Sequence, residues 1–213
     1  MQAHSRQVGL VSPATIDLLL RQPANHGGRM DALRAELAAA RREIDALRLE
    51  LAQTRDSARL DHLTQIGNRR MLDRELPRAM TEAAASGEPL CVALADIDRF
   101  KALNDLYGHD VGDDVLKSFA HILRRNLKGR DTPIRFGGDE FALILPRTTA
   151  VAAATLLGQI RQAFEEVRMV AAPVTASFGL AEFNGAEDMA HLIRRADERL
   201  YRAKMDGRNR VRR

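Results

Sequence analysis

Two acidic clusters carry side chains that could do chemistry. The first, Asp96-Ile97-Asp98, follows directly on the apolar run Pro89–Ala95, so a carboxylate stands at the carboxyl end of a strand, where α/β folds place their ligand sites. Hard divalent ions such as Mg²⁺ take oxygen ligands, usually one or two carboxylates completed by substrate phosphates. A single strand-end Asp can equally cap the helix that follows. The second cluster, Arg135-Phe136-Gly137-Gly138-Asp139-Glu140-Phe141, sets two glycines and two acids at the tip of a predicted hairpin. Glycine reaches positive φ without cost and lets another molecule come close to the backbone, and that is the expectation for Gly137 and Gly138. Adjacent carboxylates repel unless a cation lies between them or water solvates them. Gly-Gly and Asp also make ordinary solvated turns. Two carboxylate clusters, each at a strand end, are harder to read as turns alone.

Gly137-Gly138-Asp139-Glu140-Phe141 resembles the signature of the GGDEF family, the diguanylate cyclases. Other stretches between about Asp61 and Val211 are similar to the family's pattern, in order. They are Asp61-His62-Leu63-Thr64 with Asn68-Arg69-Arg70, then Asp96-Ile97-Asp98-Arg99-Phe100-Lys101. Asn104-Asp105, Tyr107-Gly108-His109, Gly112-Asp113 and Ser177-Phe178-Gly179 come next. The last are Ala196-Asp197, Leu200-Tyr201-Arg202-Ala203-Lys204 and Gly207-Arg208-Asn209.

The resemblance implies a fold like the polymerase palm or a nucleotidyl cyclase, and the conversion of two GTP into cyclic di-GMP and two pyrophosphates. It implies Mg²⁺ or Mn²⁺ held by Asp96, Asp139, the Ile97 carbonyl and, in second rank, Glu140, with Asp139 also taking the 3′-hydroxyl proton. Asn104 and Asp113 are similar to the family's guanine readers, with Phe100 and His109 lining the same substrate pocket. Lys101 resembles the cation that stabilises transition-state charge, and Lys204 and Arg208 those that hold the terminal phosphates. Two departures stand out. Where the family often carries an Arg-x-x-Asp product-inhibition site, this chain has Lys128-Gly129-Arg130-Asp131, and lysine lacks the planar two-pronged guanidinium. Where the family usually has Gly-Leu, it has Gln65-Ile66.

Periodic patterns supply the elements that must position these residues. The run Pro89–Ala95 reads as a strand buried on both faces. Short strands over Ile134–Phe136 and Phe141–Leu145 flank the Gly-Gly pair as a hairpin. A further strand spans Val174–Phe183. Helices are expected from Asn68 to Ala85 with a kink at Pro77, and over Gly112–Leu127, Thr149–Val167 and Ala186–Met205, the last stopped by Gly207. The mixture predicts an α/β sandwich, a central sheet flanked by helices, over residues 61–213.

Residues 30–60 contain no Gly or Pro, and Leu33, Leu37, Ala40, Ile44, Leu47, Leu51, Thr54 and Ala58 recur in alternating steps of four and three. That narrow seam predicts a coiled-coil stalk joining two copies; a single amphipathic helix lying on its own domain is the alternative. Residues 1–29 read as irregular, with Pro13–Leu20 a candidate docking helix, and a regulatory protein on residues 1–60 is a further expectation. The product joins two nucleotides, so a homodimer with one GTP per subunit is expected on symmetry grounds.

Composition excludes several other classes. Of 213 residues 45% are apolar, 29% charged and 4% aromatic, with a net charge of +4. Disorder and a disulfide scaffold are excluded, and the single Cys91 suits a reducing cytoplasm. No run approaches the roughly 20 apolar residues of a membrane span. The scarcity of aromatics and the mild charge argue against nucleic-acid binding. A non-catalytic nucleotide receptor on the same fold, and a scaffold that mainly docks partners, are the rival readings.

Overall fold

The computed structural model describes residues 26–57, 59–168, 170 and 172–213, and the chain divides into two units, 1–57 and 58–213. In the second unit the described strands form one six-stranded sheet, ordered β1-β3-β4-β2-β5-β6. Strand β2 (Leu90–Ile97) lies at the centre, antiparallel to both β4 (Glu140–Pro146) and β5 (Ala176–Glu182). Strand β3 (Thr132–Arg135) pairs antiparallel with β4, closing the expected hairpin. The two-residue strands β1 (Gly67–Asn68) and β6 (Val211–Arg212) add parallel edges that the sequence did not announce.

Every residue of β2 is buried, because helices cover both faces of the sheet. Cys91, Ala93, Ala95 and Ile97 face α4 (His109–Asn126) and α5 (Ala150–Glu165), whose Val115, Phe119, Leu157 and Phe164 complete one core. Phe119 is its centre: its ring lies 4.8 Å from Phe141, edge to face, and 4.7 Å from Phe164. Leu90, Val92 and Leu94 face the opposite way, towards Leu72, Leu76 and Met80 of α2 (Arg69–Ser86) and Leu192, Ala196 and Leu200 of α6 (Met189–Met205). Burying each of these large side chains stabilises the fold by about 1.5–3 kcal/mol. The short helix α3 (Phe100–Tyr107) has no fully buried residue and was not foreseen.

Asn68 caps α2 as expected, its side chain accepting from the Met71 N–H, and the helix runs through Pro77 as one element to a left-handed Gly87 (φ 72°). Gly179 in β5 is where α6 comes closest: a Cβ there would run into the backbone of Ala196 and Leu200. Gln65 holds φ 56°, in the left-handed region that favours glycine.

The first unit contains α1 (His26–Ser57), a helix of 32 residues. It begins inside the segment expected to be irregular and runs through Gly27 and Gly28. Each glycine costs about 1 kcal/mol relative to Ala, which a long helix absorbs in its first turn. Residues 31–46 are exposed, including the seam residues Leu33, Leu37, Ala40 and Ile44. The side chains of the seam from Leu47 to Ala58, and the candidate docking helix Pro13–Leu20, lie outside the described residues. Among the described residues no helix is long and apolar enough to cross a membrane.

Candidate active site

The register of β2 against β4 sets Asp96 opposite Glu140, and the Ile97 N–H donates to the Asp139 carbonyl at 3.3 Å. The two acidic clusters therefore meet at one end of the central strand pair. Asp96 is only 8% exposed, and the Lys204 ammonium, from the last turn of α6, lies 2.7 Å from its Oδ2. Burial pushes the Asp96 carboxyl up and the Lys204 bond pulls it down. The negative charges of Asp139 and Asp98 push it up again, and the net shift is upward. A carboxylate this buried needs a cation beside it.

Among the described residues no group of three or more His, Cys, Asp or Glu side chains is arranged to hold a metal. Asp96, Asp139 and the Ile97 carbonyl suit a Mg²⁺-like ion that draws its other oxygens from substrate phosphates, not from a protein cage.

The two glycines behave differently from the expectation of positive φ, which neither adopts. A Cβ on Gly137 would overlap Glu140 Oε2, because the exposed Glu140 side chain folds back over it; at Gly138 the space is open. Gly137 thus leaves room for the Glu140 side chain, whose exposed carboxylate would have to shift to admit a Cβ there. Arg135, with no role foreseen, braces this hairpin tip. Its Nε and Nη2 donate to the Gly138 carbonyl at 3.0 and 2.8 Å, and its Nη1 to Asp61 Oδ1 at 3.0 Å. Asp61 Oδ1 also accepts from the Thr64 N–H (2.9 Å) and Oγ1 (2.6 Å). Burial alone would raise the Asp61 carboxyl; these Thr64 and Arg135 bonds outweigh it and hold it below its ordinary value.

A second locus forms where α3 meets α4. A Cβ on Gly112 would overlap Asn104 Oδ1 and come within 3.2 Å of the Phe100 ring. Asn104 is therefore seated on Gly112, and half-buried Phe100 backs it against the core. Asn104 Oδ1 is buried without a hydrogen-bond partner, a situation that costs about 1–3 kcal/mol. Half-buried Asp113 follows Gly112 directly, and exposed His109 opens α4. Lys101 and Arg208 are exposed, Arg208 on the turn after α6 with φ 64°.

Asp98, grouped with Asp96 in the sequence, is occupied otherwise: its carboxylate is bonded to Thr175, Ser177 and Asn209. At the Lys128–Asp131 turn, the Asp131 carboxylate accepts from the Lys128 N–H at 3.0 Å, and burial raises its carboxyl despite that bond. Arg130 turns away to Glu82, 2.9 Å distant.

A sheet centred on antiparallel strands, helices on both faces and carboxylates meeting at its central strand ends define the nucleotidyl-cyclase-like class. Residues 58–210 match the family described as diguanylate cyclase, GGDEF domain. The chain is 37% identical over 163 residues to the diguanylate cyclase DosC of Escherichia coli K12, which covers 74% of this chain but 35% of DosC. The coiled coil and GGDEF domain of DgcB from Caulobacter crescentus, solved in complex with c-di-GMP, superposes with a TM-score of 0.69 at 38% identity, covering 85% of this chain and 98% of that one. The diguanylate cyclase SiaD of Pseudomonas aeruginosa, solved in complex with its activator SiaC, gives a TM-score of 0.69 at 29% identity, covering 93% and 78%. This chain belongs to the GGDEF family of diguanylate cyclases. It spans about a third of the length of the curated relatives it matches.

Proposed function

We propose that this chain condenses two GTP into cyclic di-GMP, releasing two pyrophosphates, as a homodimer with one GTP per subunit. The observation that carries the reading is the convergence of Asp96 and Asp139 at the β2–β4 edge beside Lys204. The unpartnered Asn104 oxygen over Gly112 supports it. In each half-reaction the 3′-oxygen of one GTP attacks the α-phosphorus of the other. The O3′–P bond forms, the bond to the β-phosphate oxygen breaks, and pyrophosphate leaves with its electron pair. Asp139 takes the 3′-hydroxyl proton. Lys101 meets charge developing on the α-phosphate, and Lys204 and Arg208 hold the terminal phosphates. Mg²⁺ or Mn²⁺ bound by Asp96, Asp139, the Ile97 carbonyl and secondarily Glu140 supplies charge stabilisation at the attacking and leaving oxygens.

Guanine is selected by complementary edges. Asp113 accepts from N1–H and N2–H₂, while the Asn104 amide pairs with N3 and the remaining N2 hydrogen; His109 borders the pocket. Adenine offers no such donors, so ATP leaves buried acceptors unpaired.

Two such sites must face one another for the ring to close, and a two-fold axis supplies that geometry. The exposed Leu33–Ile44 face of α1 is suited to a coiled coil that holds two catalytic units together, over residues 30–60. The complex of SiaD with its activator supports regulation by a protein on residues 1–60. GTP as substrate and the buried thiol of Cys91 fit a cytoplasmic enzyme.

Incubation of the chain with GTP and Mg²⁺ tests the reading. Cyclic di-GMP and pyrophosphate accumulate with the wild type, Asp139→Ala loses at least about 10²-fold as expected on removing a proton acceptor, and ATP yields no cyclic product. A folded wild type without product, or an equally active Asp139→Ala, overturns it.

A further inference from the structure

Asp98 is a buried acid that the mechanism above does not use, 9% exposed and bonded at both oxygens. Its Oδ1 accepts from Ser177 Oγ at 2.6 Å, and its Oδ2 from Thr175 Oγ1 at 2.7 Å and from the Asn209 N–H at 3.0 Å. The Asp98 N–H also donates to the Thr175 carbonyl at 2.8 Å. One carboxylate thus ties the end of β2 to the start of β5 and to the turn after α6.

That turn is held in an unusual shape. Arg208 and Asn209 are consecutive non-glycine residues in the left-handed region, at φ 64° and 48°. Such backbone persists only where its surroundings dictate it. Besides Asp98, the Asn209 side chain supplies anchors on α5: its Oδ1 accepts from Arg161 Nη1 at 2.8 Å and its Nδ2 donates to Glu165 Oε1 at 2.9 Å. The Arg208 N–H donates to the Ala203 carbonyl at 2.9 Å, next to Lys204 in the chain. The turn therefore carries both cations assigned to the terminal phosphates, Lys204 at its approach and Arg208 within it.

We infer that Asp98 is a positioning residue: with Asn209 it fixes the turn after α6 so that Lys204 and Arg208 stand where a nucleotide's β- and γ-phosphates are received. The inference rests on the proposed GTP-condensing function. Asp98 acts here by hydrogen-bond geometry and not as a metal ligand, since its oxygens are taken by three donors. An asparagine in its place keeps the network if its oxygen faces Asn209 and Thr175 and its amide donates to Ser177, whose hydroxyl turns round. Alanine cannot.

The test measures binding of two nucleotides in the presence of Mg²⁺, by titration calorimetry on the full chain. One is GTP with a non-cleavable α,β-methylene bridge; the other is GMP, which lacks the outer phosphates. Asp98→Ala is expected to weaken the GTP analogue about tenfold, the scale of a lost charge-assisted contact, and to leave GMP unchanged. Asp98→Asn restores most of the analogue's affinity. Asn209→Ala, which keeps the main-chain bond to Asp98 but frees the turn from α5, weakens the analogue several-fold with GMP again unchanged, and it serves if Asp98→Ala does not fold. Equal affinity for the analogue in the folded variants, parallel loss of GMP, or an Asp98→Asn as weak as alanine overturns the inference. Failure of the wild type to bind the analogue at all counts instead against the GTP-condensing function.

Discussion

Gly112→Ala separates stability from function at a single carbon atom. Gly112 lies inside α4 with ordinary helical φ, so alanine removes backbone freedom from the unfolded chain and favours the helix by about 0.5–1 kcal/mol. The added Cβ, however, would occupy the place of Asn104 Oδ1 and stand 3.2 Å from the Phe100 ring. Half-buried Phe100 needs to give only a few tenths of an ångström, whereas Asn104 Oδ1 overlaps the new carbon outright, so Asn104 swings out. Two hydrogen bonds to the guanine edge are then lost, about 1.5–3 kcal/mol, or ten- to a hundredfold in the KM for GTP. The melting temperature is meanwhile unchanged or higher by up to about 4 °C. The assay pairs thermal unfolding by circular dichroism with initial rates of pyrophosphate release over a GTP series, repeated with ITP, which lacks the 2-amino group. The preference for GTP over ITP should narrow in the variant without vanishing, because Asn104 supplies one of the contacts to that group and Asp113 keeps the other. A KM for GTP within about twofold of the parent, or a fall in KM-based selectivity accompanied by equal destabilisation, would refute the seating of Asn104 on Gly112.

Gly179→Ala is expected to behave oppositely, since its Cβ would meet the main chain of α6 and not a movable side chain; overpacking of this kind costs about 1–3 kcal/mol or more, read as a lower urea midpoint together with proportionate loss of activity. Leu37→Glu, on the exposed seam of α1, should leave the melting of the catalytic unit unchanged while shifting the chain to monomer by sedimentation and making activity per chain depend on concentration. Titration with cyclic di-GMP should show weak binding at Lys128–Asp131, because Arg130 is engaged with Glu82 and Asp131 with the Lys128 backbone; submicromolar affinity mapped to that turn would contradict this. Asp61, whose folded carboxyl is lowered, contributes stability that is present above its unfolded value of 3.8 and lost as pH falls through the folded one. Asp61→Asn should therefore be less stable at neutral pH and flatten the acid limb of the melting-temperature profile below about pH 5, with a parallel profile for the two proteins as the contrary result.

Strand β2 was legible because a run buried on both faces has no polar residue to disguise it, and the β3–β4 hairpin because Gly-Gly interrupts two apolar segments. The helices α2, α4, α5 and α6 announced themselves by their apolar patterning, and α2 also by its Asn68 cap; that Thr149 and Asp188 cap α5 and α6 is visible only in the structure. Helix α3 did not: Phe100, Leu103, Leu106 and Tyr107 do recur at helical spacing, but over eight residues that stripe is too short to tell a helix from a loop. Strands β1 and β6 are two residues long, too short to carry a pattern, and owe their existence to parallel partners distant in the chain.

Residue types and local spacing were enough to determine the family, the acids that could bind a cation and the layered α/β architecture, since period and composition are properties of neighbouring residues. Which acids share the site was decided by tertiary structure. Asp96 and Asp98 are two residues apart, yet one faces Asp139 and Lys204 while the other is consumed by Ser177, Thr175 and Asn209. Arg135 became a brace, and Gly137 and Gly112 became seats for Glu140 and Asn104, only once strand register and helix packing had brought their neighbours within contact. A carboxylate's role is set by the charges and donors that surround it, and those arrive from remote parts of the chain.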